Sequence, residues 1–175
     1  AAFNEKVPPS PKAALPVISF NDTVTFHLNG HDIHAVHVEH AHTDGDSIVH
    51  FRAGNVIHAG DVWFNGLYPF IDSDSGGSLD GVIAAVDVIL KLANDKTRII
   101  PGHGPLADRE ALEGYRKFLT DVRERVGKLL QQGKTQDEIR AARPLADYEA
   151  ALSKGFLSTD KFLEVAVAAM GKPEH

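Results

Sequence analysis

The hydrophobic period changes once along this chain, from two to about 3.6, and that change sets the order of its layers. Thr23-Val24-Thr25-Phe26-His27-Leu28 alternates apolar and polar residues, Asn29-Gly30 is a strong hairpin turn, and Ile33 to Val38 resumes the alternation. Ser47 to Phe51 and Asn55 to His58 repeat the pattern across Arg52-Ala53-Gly54, which predicts a second hairpin ending at Gly60-Asp61. From Leu79 to Ala93 the pattern is helical: Val82, Val86, Ile89 and Ala93 share a face, and Ser78 is placed to cap the start. Thr97 to Ile100 reads as a short strand that delivers His103 at its end. Asp108 then caps a long helix striped by Leu112, Tyr115, Leu119, Val122, Val126 and Leu129, which Gly133 ends. Thr135-Gln136-Asp137-Glu138 is a capping box, Pro144 interrupts the helix it opens, and Thr159 to Met170 reads as a last helix. Strands first and helices later, with one helix between the last two strands, predict an α+β fold: a mixed sheet with packed helices.

The proline-rich start, Val7-Pro8-Pro9-Ser10-Pro11 and Pro16, makes residues 1–22 an irregular lead-in. Residues 23–132 form the body, and 133–175 a helical extension. With 175 residues, 43% of them hydrophobic, one core suffices. A net charge of -6 offers no cationic footprint for nucleic acid or anionic lipid. No apolar run approaches the roughly 20 residues that span a bilayer, and the first 20 residues lack the pattern of a signal peptide. Without cysteine, any bound metal must use nitrogen and oxygen donors, which keeps zinc, iron and manganese open.

Three polar turns concentrate the chemistry: His42 in His-Thr-Asp-Gly-Asp, Asp61 in Ala-Gly-Asp, and His103 in Pro-Gly-His-Gly. Each follows or closes a strand-like run, so two imidazoles and a carboxylate can meet at a sheet edge and share metal. Ordinary turn chemistry is the competing account of each turn taken singly. Asp44 and Asp46 flank the first turn and can hold its amides, while His40 and His58 are placed to orient a ligand. His27, His31, His34, His37 and His50 lie on or beside strands with mixed parity and cannot all face one site. Trp63, Phe64, Tyr68, Pro69 and Phe70 are unusually apolar for a loop. Trp63, Tyr68 and Phe70 can wall a substrate pocket or pack under a helix. Ser75-Gly76-Gly77-Ser78 reads as a connection or an anion seat.

His40-Ala41-His42-Thr43-Asp44-Gly45 imitates the His-x-His-x-Asp-His signature of metallo-β-lactamase-like hydrolases, with Gly45 at the last histidine's position. A strand, not a helix, follows it. The segment instead resembles that family's later single-histidine motif. Asp61 is similar to its metal-bridging carboxylate, and Pro101-Gly102-His103-Gly104 to its final ligand turn. The likeness spans about Thr23 to Val126 and implies the later part of an αβ/βα sandwich. The earlier ligand motif is absent, which implies that residue 1 lies inside the family's domain.

The resemblance implies a hydrolase of an ester, thioester or amide small-molecule substrate. In the complete family that the chain resembles, two metals about 3.5–4 Å apart would hold a bridging water and lower its pKa so that hydroxide could attack a carbonyl or ester carbon. Asp61 would bridge the ions, with His42 on the first and His103 on the second. One histidine per ion falls short of the three protein ligands of a catalytic zinc. The chain alone is therefore expected to bind metal weakly and to have little or no activity. Two other accounts stay open. One is an assembly module, forming a homo-oligomer or accepting a complementing N-terminal segment. The other is a glyoxalase II-like thioesterase, which would need basic residues for a glutathione carboxylate; the long helix offers Arg116, Lys117, Arg123 and Arg125, but their spacing mostly fits its solvated face. Periplasm and cytoplasm are both compatible with the resemblance.

Overall fold

The computed structural model describes residues 8–171; residues 1–7 of the lead-in and 172–175 of the extension lie outside it. Five strands form one sheet in sequence order: β1 (Thr23–Leu28), β2 (His31–Val38), β3 (Asp46–Phe51), β4 (Val56–Phe64) and β5 (Arg98–His103). The first four pair antiparallel. β5 joins β4 in parallel after the crossover helix α1 (Leu79–Leu92). Helices α2 (Arg109–Gln131), α3 (Gln136–Ala142), α4 (Ala146–Leu152) and α5 (Thr159–Ala169) follow. This is the α+β arrangement that the period change predicts.

The caps form as the local sequence dictates. The Ser78 hydroxyl accepts from the Gly81 amide, Asp108 from the Ala111 amide, and Thr135 with Glu138 completes a capping box. The second hairpin differs from expectation. β4 does not stop at Gly60-Asp61 but runs to Phe64, with register irregularities on either side of Gly60. Pairing with β5, at Gly60↔Pro101 and Phe64↔His103, satisfies the backbone of a stretch that has no period-two pattern. β5 likewise continues past Ile100 to His103.

Register sorts the sheet into two faces. Val38, Ile48, Ile57 and Ile99 face the helices and enter one core with Val86 and Ile89 of α1 and Leu119, Val122 and Val126 of α2. Alternate positions place Val24, Phe26, Ile33, Ala35, Val49, Phe51 and Val56 on the other face, and none of these joins that core. Phe26 and Phe51 on this face stay exposed. The extension shares the main core through Ile139, Leu145, Phe162, Leu163 and Ala166.

Candidate metal-binding edge

His42 sits on a turn gripped from several sides. The Asp72 amide donates to the His42 carbonyl at 2.8 Å, and the Asp44 amide to the Ser75 carbonyl at 3.0 Å. The Asp46 carboxylate accepts from the Thr43 amide at 2.6 Å and from its hydroxyl at 3.2 Å. The turn packs so tightly on the start of α1 that a Cβ at Gly77 would lie 2.2 Å from the His42 carbonyl oxygen. Only glycine fits there. The His42 ring donates through Nδ1 to the Phe70 carbonyl at 2.7 Å. Because a carbonyl can only accept, this fixes the proton on Nδ1 and, in the neutral ring, leaves the Nε2 lone pair free for a metal.

Asp61 projects from the irregular stretch of β4. The His58 Nδ1 accepts from the Gly60 amide at 3.0 Å, bracing the bend just before the carboxylate. Across the parallel ladder a Cβ at Gly102 would lie 2.2 Å from Asp61 Oδ1, so the missing side chain makes the room that the carboxylate occupies. His103 closes β5. Its ring stacks on Phe64 with centroids 4.6 Å apart and planes at 16°, and its carbonyl accepts from the Asn65 amide at 2.9 Å.

These elements bring the three residues together. His42 Nε2 lies 3.7 Å from Asp61 Oδ2, and His103 Nε2 lies 3.4 Å from Asp61 Oδ1. Each carboxylate oxygen therefore faces one imidazole. Both separations exceed the usual N–H···O range. Zinc bonds of about 2.1 Å at a tetrahedral angle would put two donors about 3.4 Å apart, so each pair matches one edge of a coordination shell. The pairs diverge from the carboxylate, and among the described residues no group of three or more His, Cys, Asp or Glu side chains could hold one ion. The donor set fits two incomplete shells sharing a carboxylate.

The flanking residues take different places. Asp46 holds the turn, as above. The Asp44 carboxylate lies 3.2 Å from His40 Nδ1. His37 directs Nδ1 to the Asn21 carbonyl at 2.8 Å and Nε2 to the Asp44 carbonyl at 2.7 Å. Two acceptors favour the doubly protonated ring, and the Asp44 carbonyl foremost raises the His37 pKa above its ordinary value. His27 pairs with Asp32 at 2.6 Å and His34 with the Thr25 hydroxyl at 2.9 Å, both on β1–β2. Burial lowers the pKa of His50.

Of the two places open to the aromatic residues, Trp63 and Tyr68 take the core. Both are buried, Trp63 near Tyr115 and Tyr68 stacked on Phe162 at 4.6 Å. Tyr115 of α2 covers Trp63, which lines a cavity with it that includes none of His42, Asp61 and His103, and Phe162 of α5 covers Tyr68. Phe70 does reach the site, edge-on to the His42 ring with centroids 5.9 Å apart. Two further rings join it. Phe64 supports His103, and Phe156, from the α4–α5 loop, lies 6.0 Å from both Phe64 and His103. An apolar ring in Lys154-Gly155-Phe156, outside any periodic stripe, is the sequence signal for Phe156. A groove of about 600 Å³ lies elsewhere, between β1–β2 and α1, lined in part by Val36, Val38, Ala84 and Val88. It contains none of the three converging residues.

No family model matches the sequence, and no curated protein does. Solved structures do. The metallo-beta-lactamase from Pontibacter korlensis aligns at 17% identity over 60% of this chain and 49% of its own, with a TM-score of 0.52. A double mutant of the sec-alkyl sulfatase PisA1 aligns at 17% identity over 87% of this chain and 26% of its own, with a TM-score of 0.68. The stereoselective inverting sec-alkylsulfatase Pisa1 from Pseudomonas sp. gives 15% identity, 88% and 26% coverage, and a TM-score of 0.60. The chain has part of a metallo-β-lactamase-type fold. It spans about half the length of the Pontibacter enzyme and about a quarter of the sulfatases. The metallo-β-lactamase-type likeness to the sulfatases extends over more of this chain than the likeness to the Pontibacter enzyme.

Proposed function

We propose that this chain contributes one wall of a two-metal hydrolytic site, and that the whole protein is a metal-dependent hydrolase of an ester, thioester or amide. The observation that carries the reading is Asp61, with one oxygen 3.7 Å from His42 Nε2 and the other 3.4 Å from His103 Nε2. Zinc is the metal proposed, with iron and manganese compatible with the same donors. When bound, such an ion lowers the pKa of its water to about 7 and polarises the scissile carbonyl. Within this chain, Asp61 and the two imidazoles hold the site, Phe70 fixes the His42 tautomer through its carbonyl, and Phe64 backs His103.

The remaining donors must come from polypeptide beyond these residues. We place that complementing segment on the apolar row of Val24, Phe26, Ile33 and Phe51, which the helices leave uncovered. The 49% span of the Pontibacter enzyme supports this choice over a second copy. The glutathione-directed thioesterase reading loses its support on α2. There Arg116 pairs with Asp87, Lys117 with Asp121, Arg123 with Asp80 and Arg125 with Asp147.

Calorimetric titration of zinc into the chelator-treated chain tests the half-site. Weak binding that disappears in Asp61→Asn, with far-UV circular dichroism unchanged, is expected. Tight binding of two ions per chain would refute the incomplete site, and weak binding indifferent to Asp61→Asn would refute the residue assignment. Light scattering checks the uncovered row: a monomer is expected, and a stable dimer would replace the complementing segment with a second copy.

A further inference from the structure

The last rung between β4 and β5 joins Phe64 to His103. From the preceding rung, Gly60↔Pro101, β4 advances four residues and β5 only two, so Asp61 stands in a stretch of β4 that no β5 residue pairs with. Where His103 meets the carboxylate therefore depends on how the end of β5 is held.

Asn65 holds that end at three successive residues. Its amide donates to the His103 carbonyl at 2.9 Å, and its side-chain Nδ2 donates to the Pro105 carbonyl at 2.8 Å. Between them Gly104 takes a φ of +93°, and a Cβ there would lie 2.1 Å from the Asn65 carbonyl oxygen. The turn thus packs directly on the Asn65 backbone. The contacts at His103 and Gly104 use main chain of residue 65 and make no demand on its side chain. The bond to Pro105 does: a carbonyl only accepts, so it needs a short side chain that donates, which asparagine supplies. Phe64, next in the chain, lies under the His103 ring. Two consecutive residues therefore hold the plane of the imidazole and the backbone on both sides of it.

We propose that Asn65 is a positioning residue: by clamping the turn from His103 to Pro105 it sets the imidazole beside Asp61, and the metal affinity of that pair depends on the Asn65 side-chain amide. The proposal rests on the two-metal reading for what His103 and Asp61 hold, whereas the clamp itself stands on hydrogen-bond geometry. Partners that orient a metal ligand are worth about ten- to a hundredfold in affinity. Asn65 acts through the main chain, which places it at the lower end.

The test compares the chelator-treated chain with Asn65→Leu, which keeps the size of the side chain and removes its donor. Asn55→Ala is the structural control: it deletes bonds to Asn94 and Thr97 at the far end of the same strand pair. Zinc is titrated by calorimetry, and the His42 and His103 ring protons are followed by NMR. In Asn65→Leu, zinc binding is expected to weaken about tenfold, and the metal-free His103 signals to broaden while those of His42 stay sharp. Asn55→Ala should lower the melting temperature and leave both readouts unchanged. Zinc binding and His103 signals unaltered in Asn65→Leu, or zinc binding weakened equally in Asn55→Ala, would overturn the proposal. His103 signals that ignore zinc in the wild-type chain and yet broaden in Asn65→Leu would sink the metal reading and leave the clamp standing.

Discussion

The two imidazoles of the candidate site are held in opposite ways. His42 has a side chain only 17% exposed, a ring nitrogen tied to the Phe70 carbonyl, and a turn braced by Asp46, Asp72 and Ser75. His103 is 47% exposed, and its ring is supported from below by Phe64. A hydrogen bond fixes direction and tautomer; a stack fixes a plane and leaves rotation within it. The pair therefore joins a rigid donor to an adjustable one, with Asp61 between them.

Removing the stack should break this asymmetry with the largest effect. Phe64→Ala deletes a buried ring and is expected to cost about 3–5 kcal/mol, read as a lower denaturant midpoint. His103 ring signals should broaden or average while those of His42 stay sharp. Equal disturbance of both rings would show that they are not independently held.

The reverse experiment acts on the His42 side. Asp46→Ala removes the acceptor for the Thr43 amide and hydroxyl and is expected to cost about 1–2 kcal/mol. Amide exchange should quicken across Thr43 to Ser47 and remain slow at Ile100 and His103. Uniform acceleration over both turns would contradict separate anchoring.

The smallest effect is a pH dependence confined to the His42 side. The folded pKa of His37 is raised, so folding favours its imidazolium. That contribution is complete below the unfolded pKa of about 6.5 and is lost as pH rises through the folded value. The wild-type chain should lose slightly more melting temperature than His37→Gln between about pH 5 and about pH 8. NMR titration of His37 should give a midpoint above that of the unfolded ring, and a midpoint below it would reverse the sign.

What the sequence made legible was local. Ser78, Asp108 and Thr135 mark their helix starts because a cap needs only its own first turn, and the Asn29-Gly30 hairpin is likewise self-contained. The end of β4 was not legible. Gly60 to Phe64 is strand only because β5, more than thirty residues later, supplies its partners. The same non-local cause put Trp63 and Tyr68 into the core, since the rings that cover them, Tyr115 and Phe162, come from α2 and α5. His42, Asp61 and His103 could be picked out by residue type and order. Their meeting on opposite oxygens of one carboxylate depended on register, and Phe156 depended on the path of a distant loop.

Asp61 and His103 stand on adjacent strands of one hydrogen-bonded ladder, and Gly102 lets those strands close on the carboxylate. Their separation is therefore written into main-chain geometry. Substitutions on the helical surfaces can accumulate without changing the spacing of the imidazole and the carboxylate at this corner.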